Sequence, residues 1–205
     1  MVRCTPIALA LVIVTSCGHE SSSTEATPDA DVQVEEDVSG ARATDTTPAL
    51  VSGLVTNPFD WEVVPTTEDP FAPEAPITCE PEAHGPEEIT GVWVYSVDTE
   101  ACSWLTVRQR TMLALQPGDR LRAGVFHFAL TAPTDATAHV GLAWSDEVFV
   151  TVDEPIPSAG RLVTLEYTAE RAHPAGEELF FHIDNHGANS WHLLEIRLNP
   201  PEETP

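Results

Sequence analysis

Two short apolar runs separated by a polar turn make up the stretch that decides the fold. From Glu178 to Leu198 the sequence reads ELFFHIDNHGANSWHLLEIRL. Alternation of side chains within each run is typical of β-strands with one buried face, and a cluster of Asn and Gly is a turn signal. The stretch therefore predicts two strands, Glu178–Asp184 and Trp191–Leu198, joined by a turn at Asn185–Asn189.

The same pattern extends toward the N-terminus as far as Ile77. Short alternating runs are separated by turn signals such as Gln116–Asp119 and His173–Gly176, and no segment has a convincing period of 3.6 residues. The further predicted strands are Ile89–Val97, Cys102–Arg108, Arg120–Thr131, Ala138–Trp144, Glu147–Val152 and Arg161–Thr168. Eight strands in about 120 residues predict an all-β domain, a two-sheet antiparallel β-sandwich of the jelly-roll type.

Alternation also predicts which side chains face the core. The predicted core faces are Phe126, Phe128 and Leu130; Val140, Leu142 and Trp144; Val163, Leu165 and Tyr167; Leu179, Phe181 and Ile183; and His192, Leu194, Ile196 and Leu198. About 15 such side chains, each contributing about 1.5–3 kcal/mol, are enough for a domain of this size.

Residues 1–16 predict an export signal rather than folded structure. Arg3 precedes an apolar run, Ile7–Val14, which is much shorter than the roughly 20 residues that span a bilayer. The run leads into the sequence VTSC, ending at Cys17, which resembles the lipobox of bacterial lipoproteins. The resemblance implies cleavage before Cys17 and acylation with fatty acids such as palmitate, and Gly18 favours the outer membrane. The alternative is a soluble secreted protein that is cut elsewhere.

The next segment, residues 17–76, predicts a disordered acidic linker. Between Gly18 and Pro76 there are 13 acidic residues and one Arg, and such a composition buries too little apolar surface to offset the entropy of ordering. The linker would hold a domain at residues 77–199 away from the membrane, with residues 200–205 as a disordered tail. Within it, Leu54–Val64 contains two aromatic residues and is either an extra edge strand or a docking motif; we favour packing.

Charge limits the partners of this chain. It has 33 acidic residues against nine basic ones, a net charge of −24. Such a chain repels phosphate backbones and anionic membrane surfaces, so we expect no nucleic-acid binding and no membrane contact other than the lipid anchor.

Two cysteines remain once Cys4 leaves with the signal and Cys17 carries lipid. An even pair in an exported protein predicts a disulfide between Cys79 and Cys102. Free thiols or a redox pair are the alternatives, but the spacing is not Cys-x-x-Cys.

The closing hairpin carries a family resemblance. The apolar run Leu179–Ile183, the Asn/Gly turn and a last strand with Glu195 between apolar residues resemble galactose-binding-like domains and carbohydrate-binding-module jelly rolls, as does Pro117–Leu121 at the start of a long strand. The resemblance implies a fold that often binds sugars on a concave sheet face or in end loops, and that in many members holds a structural calcium ion. The chain departs from sugar binders in lacking a clear row of exposed Trp or Tyr. As a whole it also resembles lipoproteins of GC-rich Gram-negative bacteria, a likeness that implies no activity.

Histidines are the candidate site residues. By strand alternation His127, His139 and His182 lie on the face opposite the apolar positions, and Asp184 shares the face of His182. If their strands are neighbours, the three imidazoles and the carboxylate would suit zinc, or the imidazoles would line a sugar-binding groove. The spacing matches no compact metal motif, so we favour a solvated sheet face and do not expect zinc. We expect His192 in the core.

Carboxylates next to turns are the candidates for calcium. Asp119, Asp153 and Glu154 are of the type that calcium prefers, but charge runs usually face water and we favour a solvated acidic surface. The chain has no Gly-x-Ser-x-Gly, P-loop or dinucleotide fingerprint. We therefore do not expect an enzyme.

Three hypotheses about function follow. The first is a non-catalytic, envelope-anchored binding module, with glycans as the candidate ligands. The second is a structural or assembly lipoprotein that docks an envelope protein through the sandwich or the Phe59–Trp61 patch. The third is a metal-dependent enzyme or metal sensor built on His127, His139 and His182.

Overall fold

The computed structural model describes residues 53–71, 79–185 and 187–199. These residues form eleven strands: β1 (Gly53–Leu54), β2 (Glu62–Val63), β3 (His84–Ile89), β4 (Val92–Asp98), β5 (Trp104–Arg110), β6 (Arg120–His127), β7 (Ala136–Trp144), β8 (Glu147–Ile156), β9 (Arg161–Thr168), β10 (Glu178–Asp184) and β11 (Ser190–Leu198). Two short 3-10 helices, Thr66–Glu68 and Pro81–Ala83, lie between strands. Among the described residues, no helix has the length and hydropathy to cross a membrane.

The strands form two antiparallel sheets that enclose one hydrophobic core. The six-stranded sheet has the order β3-β4-β11-β6-β9, with β1 also paired to β11, and the five-stranded sheet has the order β2-β5-β10-β7-β8. The all-β, two-sheet antiparallel sandwich predicted from the sequence is therefore confirmed. Strands β9 and β10 begin and end where the alternation placed them.

The core follows the predicted faces in β7, β9 and β10. Val140, Leu142 and Trp144 are buried, as are Leu179, Phe181 and Ile183. In β9, Val163 and Leu165 are buried and Tyr167 packs against the cluster from its edge. Polar or small residues occupy most of the other face of these strands, so the apolar set marks the core side; Phe180 of β10 is the exception and is buried on the outer face.

Strand β6 faces the opposite way from the prediction. Leu121, Ala123, Val125 and His127 point into the core, whereas Phe126 and Phe128 lie on the outer face. Both faces of this strand carry apolar side chains, so alternation defines the two sets without showing which set faces inward. Leu130, beyond the strand end, is buried as predicted.

A β-bulge changes the faces within β11. The register shifts between Leu193 and Glu195, so that Trp191 and Leu193 before the bulge, and Ile196 and Leu198 after it, all join the core. An inserted residue exchanges the two faces of a strand. The predicted core positions of His192 and Leu194 are therefore wrong: both lie on the outer face, although His192 is buried there by its neighbours.

The predicted strand Ile89–Val97 is in fact a hairpin. β3 pairs with β4 from Ile89 opposite Val92, and the turn between them consists of Thr90 and Gly91 with φ of 51° and 84°. Two-residue hairpin loops favour positive φ at both positions, because that geometry matches the twist of the strands.

Part of the predicted linker belongs to the sandwich. β1 pairs with β11 and β2 pairs with β5, so this segment contacts both sheets, and the favoured packing of Leu54–Val64 is confirmed. The folded unit thus begins before the predicted boundary at residue 77. Cys17, the export signal, the rest of the predicted linker and the tail at 200–205 lie outside the described residues.

The predicted disulfide is present. Cys79 and Cys102, separated by 23 residues, are bonded to each other, and an isolated bridge also pairs their backbones. Closing a loop of this length stabilises the folded chain by about 3 kcal/mol.

Candidate functional site

The three candidate histidines do not converge. His139 and His182 lie on the outer face of the five-stranded sheet, in the neighbouring strands β7 and β10, and Asp184 pairs in register with His139. His127 belongs to the other sheet and faces the core. Among the residues that the structure describes, no group of three His, Cys, Asp or Glu is placed to hold a metal ion. Alternation assigns a face within one strand, but it does not assign the sheet.

His182 is enclosed by aromatic side chains. Its ring stacks on Phe71 with centroids 4.2 Å apart and lies 4.4 Å from Trp104. Its Nδ1 lies 2.9 Å from the Thr106 hydroxyl. Because that hydroxyl donates its hydrogen to Asp69, it accepts a hydrogen bond from the ring N–H of His182. Burial lowers the pKa of His182 to about 4, so the imidazole is neutral at neutral pH.

The segment after β2 covers the centre of this sheet face. Val64 and Phe71 pack on Ala143 and Phe180 as a second small cluster. A Cβ on Gly141 would stand 2.7 Å from the Phe71 ring, so only glycine leaves room for that ring on the sheet. Phe71 therefore covers the centre of a face that was expected to be solvated, with a sugar-binding groove as one alternative.

His127 is part of a buried ionic network at one edge of the sandwich. Its Nδ1 donates to the carbonyl of Phe128 over 2.7 Å, and its Nε2 lies 3.7 Å from Oε1 of Glu154. The Arg161 guanidinium binds both oxygens of Glu154. Hydrogen bonds from Arg161 lower the pKa of Glu154. The network links β6, β8 and β9 and therefore joins the two sheets.

The carboxylates considered as calcium candidates are engaged by protein groups. Asp153 lies 2.7 Å from Nδ1 of His139, and Glu154 is bound by Arg161. Asp119 accepts the backbone N–H of Gln116 and the amide of Asn199, over 2.7 and 2.9 Å. Each of the three has a structural role in the described part of the chain.

A different feature, which we call the aromatic groove, is open at the surface. Trp93 and Phe59 are 46% and 53% exposed, and their ring centroids lie 4.8 Å apart. Beside them is a depression of about 150 Å³. Its apolar lining consists of Leu54, Pro58, Trp61, Val92, Trp93, Leu193 and Leu194.

The groove lies at a gap in the pairing of β11. β4 pairs with β11 through Ser190–Leu193, and β1 pairs with it at Arg197–Leu198. The stretch of β11 around Leu194 and Glu195 therefore lies between the ends of two strands, and the groove forms there. Trp61 lies beneath the groove and forms part of its floor. Its ring centroid is 6.1 Å from that of Tyr95 and 6.2 Å from that of Phe181, so the floor packs directly on the core.

Polar groups border the same groove. Glu195 and Thr56 are among its lining residues, and the Glu195 carboxylate lies 2.8 Å from Nε of Arg197. An apolar surface with a few fixed polar groups is the usual composition of a small-molecule site.

Sequence reasoning identified part of this site. It singled out Phe59 and Trp61, but it placed Trp93 in the middle of a strand and expected no clear row of exposed Trp or Tyr. Trp93 is in fact the second residue of β4, directly after the Thr90–Gly91 turn. The turn was the signal that would have placed Trp93 at a strand end.

Comparison with known proteins gives similar structures but no family. No protein-family model matches the chain, and no curated protein matches it either. Several solved carbohydrate-binding modules are similar. TmCBM27, studied for specific mannan recognition, has 10% identity and a TM-score of 0.46 over 73% of this chain and 96% of its own. TmCBM61, solved with β-1,4-galactotriose, has 7% identity and a TM-score of 0.39 over 60% and 86%. The N-terminal cellulose-binding domain of Cellulomonas fimi β-1,4-glucanase C has 16% identity and a TM-score of 0.34 over 62% and 94%.

Proposed function

We propose that this chain is a non-catalytic glycan-binding module of the cell envelope, lipid-anchored through Cys17, with the aromatic groove as its binding site. The observation that carries the proposal is the exposed pair of Trp93 and Phe59 beside a groove with an apolar floor. Aromatic rings that remain exposed in a folded domain, next to a concavity, mark a surface for a ligand.

The chemistry of the groove suits a sugar. One face of a pyranose ring presents C–H groups, which pack on the face of an indole or phenyl ring, while its hydroxyls need polar partners at the rim. Trp93 and Phe59 supply the rings, and Glu195 supplies a carboxylate acceptor. The groove is shallow, so it suits one unit of a larger ligand better than a fully enclosed small molecule.

Four exposed large apolar side chains meet at this site. Among the described residues, Leu54, Val92 and Trp93 are exposed and line the groove, and the exposed Phe59 contacts Trp93. The net charge of −24 disfavours anionic glycans. The proposal is therefore a neutral glycan.

The first test replaces Trp93 by alanine in the full chain. We expect a loss of glycan affinity of about 10- to 100-fold, because a well-packed aromatic contact at a binding site is worth about 1.4–2.8 kcal/mol. The measurement is screening on an array of neutral glycans, followed by calorimetry with the best binder. Val148→Ala, an exposed apolar change in the five-stranded sheet, is the control and should bind as wild type. An array without any retained glycan, or equal binding by Trp93→Ala, would refute the proposal.

The lipid anchor is tested separately. Cells that express the full chain and are grown with labelled palmitate should incorporate the label into this protein, because the sequence ending at Cys17 resembles a lipobox. Cys17→Ser should carry no label and should leave the membrane fraction, since acyl chains supply the membrane affinity. Equal labelling of wild type and Cys17→Ser would contradict anchoring at this residue.

A further inference from the structure

A second apolar surface lies on the outer face of the six-stranded sheet. It consists of Phe126, Phe128, Leu162 and Leu194, which we call the outer strip. Phe128 and Leu162 are each 51% exposed. In an antiparallel sheet one face can remain solvated, and that face normally carries polar side chains. A row of large apolar groups there therefore needs an explanation.

The register of the strands brings these side chains into one row. His192 of β11 lies opposite Phe126 of β6, which lies opposite Leu162 of β9. The Phe126 and Phe128 rings meet edge to face at 5.2 Å, and Phe128 meets the His192 ring at 5.4 Å. The phenyl rings are thus held in place by their neighbours and present a preformed surface.

Leu194 joins the outer strip to the aromatic groove. A Cβ on Gly124 would stand 3.7 Å from Leu162 and 4.0 Å from Leu194, so the two leucines approach each other above this glycine. Leu194 is also part of the groove lining. The aromatic groove and the outer strip together extend across four neighbouring strands, from β4 through β11 and β6 to β9. This is three strand spacings, or roughly 14 Å, which is wider than one sugar ring.

Polar side chains border the outer strip on both sides. Ser96 lies 2.9 Å from Nδ1 of His192 through its hydroxyl, and Glu87 lies 4.0 Å from the same nitrogen. Arg122 and Glu166 form the other border, 3.8 Å apart. An apolar strip between polar margins matches a chain of sugar rings, whose C–H faces stack and whose hydroxyls point sideways.

We infer that the ligand is a polymer whose chain runs from the aromatic groove across the outer strip, so that the module selects polysaccharides over short oligosaccharides. The inference rests on the proposed function, since the groove holds one part of the same chain. Continuity with the aromatic groove through Leu194, and an uncharged strip between polar margins, favour a neutral polysaccharide over a protein partner.

The test uses the full chain with hydroxyethyl cellulose, galactomannan and β-1,4-galactan in affinity gels. The trisaccharide and hexasaccharide of each retained polymer are then measured by calorimetry. Wild type should bind the hexasaccharide about tenfold or more tightly than the trisaccharide, because linked contacts add avidity. Phe128→Ala should bind the hexasaccharide no more tightly than the trisaccharide, with its trisaccharide affinity unchanged from wild type. Trp93→Ala should weaken the binding of both oligosaccharides.

Leu162→Ser is the second variant, and it should behave as Phe128→Ala does, since it removes an exposed group from the neighbouring strand. Val148→Ala is again the control. One contrary outcome is that Trp93→Ala loses binding while Phe128→Ala and Leu162→Ser still bind the hexasaccharide more tightly than the trisaccharide, as wild type does. In that case the outer strip is not part of the site, and only the present inference fails. If wild type retains none of the three polymers and binds none of their oligosaccharides, the proposed function fails with it. Binding of an envelope protein lost only in Phe128→Ala would reassign the outer strip to a protein partner.

Discussion

Replacing Arg161 by alanine is expected to lower the free energy of unfolding by about 3 kcal/mol. The change leaves the carboxylate of Glu154, whose side chain is only 3% exposed, without its guanidinium partner. Removal of one member of a buried ion pair costs about 3–5 kcal/mol, because the other charge stays buried and unpaired. The lower end applies here, since Arg161 itself is 54% exposed. Urea unfolding of the full chain measures the difference.

A surface ion pair provides the matched control. Arg171 lies 2.7 Å from Asp146, and both side chains are about half exposed or more, so Arg171→Ala should cost less than about 1 kcal/mol. The double variant Arg161→Ala with Glu154→Gln should regain part of the lost stability, because it removes the unpaired charge. Equal effects of Arg161→Ala and Arg171→Ala would show that the network does not stabilise the fold.

The Glu154 network also has a defined pH dependence. Since Arg161 lowers the pKa of Glu154 below the ordinary 4.5, its contribution to stability is complete above that value and is lost as the pH falls toward the lowered pKa. In Arg161→Ala this contribution is absent. The difference in free energy of unfolding between wild type and Arg161→Ala should therefore become smaller as the pH falls.

His182 is expected to destabilise the fold by about 3 kcal/mol as the pH falls from 6.5 to 4. Burial holds its pKa at about 4, whereas the unfolded chain takes up a proton near the ordinary 6.5. Between these values the unfolded state binds more protons, so acid favours unfolding, by about 1.36 kcal/mol for each unit of difference. The effect is absent above pH 6.5.

Urea unfolding at pH 7 and pH 4.5 tests this dependence. His182→Asn keeps a donor near Thr106 but does not titrate, so its loss of stability on acidification should be smaller than that of wild type. His139→Asn removes a half-exposed imidazole whose charge adds only a minor effect to the burial that lowers the His182 pKa, so it should keep most of the wild-type loss of stability. An NMR titration in which His182 ionises near pH 6.5 would contradict the prediction; in Phe71→Ala its pKa should rise, because the covering ring is gone.

Local pattern predicted most of the strands but fewer of the faces. The limits of β9 and β10 follow from alternation alone, because both strands lie between clear turn signals. In β6 both faces carry apolar side chains, so alternation alone does not identify the buried face; in the structure the His127 ring packs on Trp191 of the next strand, 4.5 Å away by ring centroid. The bulge in β11 depends on pairing with neighbours on both sides, and that pairing is not encoded in β11 itself.

The candidate site required tertiary information. Glu154 and Arg161 are seven residues apart along the chain, but His127 is distant from both and meets them only because β8 and β9 are the outer strands of the two sheets. Trp93 and Phe59 likewise meet only once the segment before β2 crosses the sandwich. The local sequence indicated Phe59 but not Trp93, and the exposure of the two rings side by side depends on where the strands end.

The short pairing of β1 gives the domain a defined mechanical response. Tension applied to the chain on the N-terminal side of Gly53 acts first on the two residue pairs that hold β1 to Leu198 and Arg197 of β11. Leu54, the second residue of β1, is also part of the groove wall. A pull from that side would therefore separate a wall of the groove before it reaches the hydrogen bonds of the core strands. On the proposed function, such tension would act on the wall of the glycan site before it acts on the strands of the core.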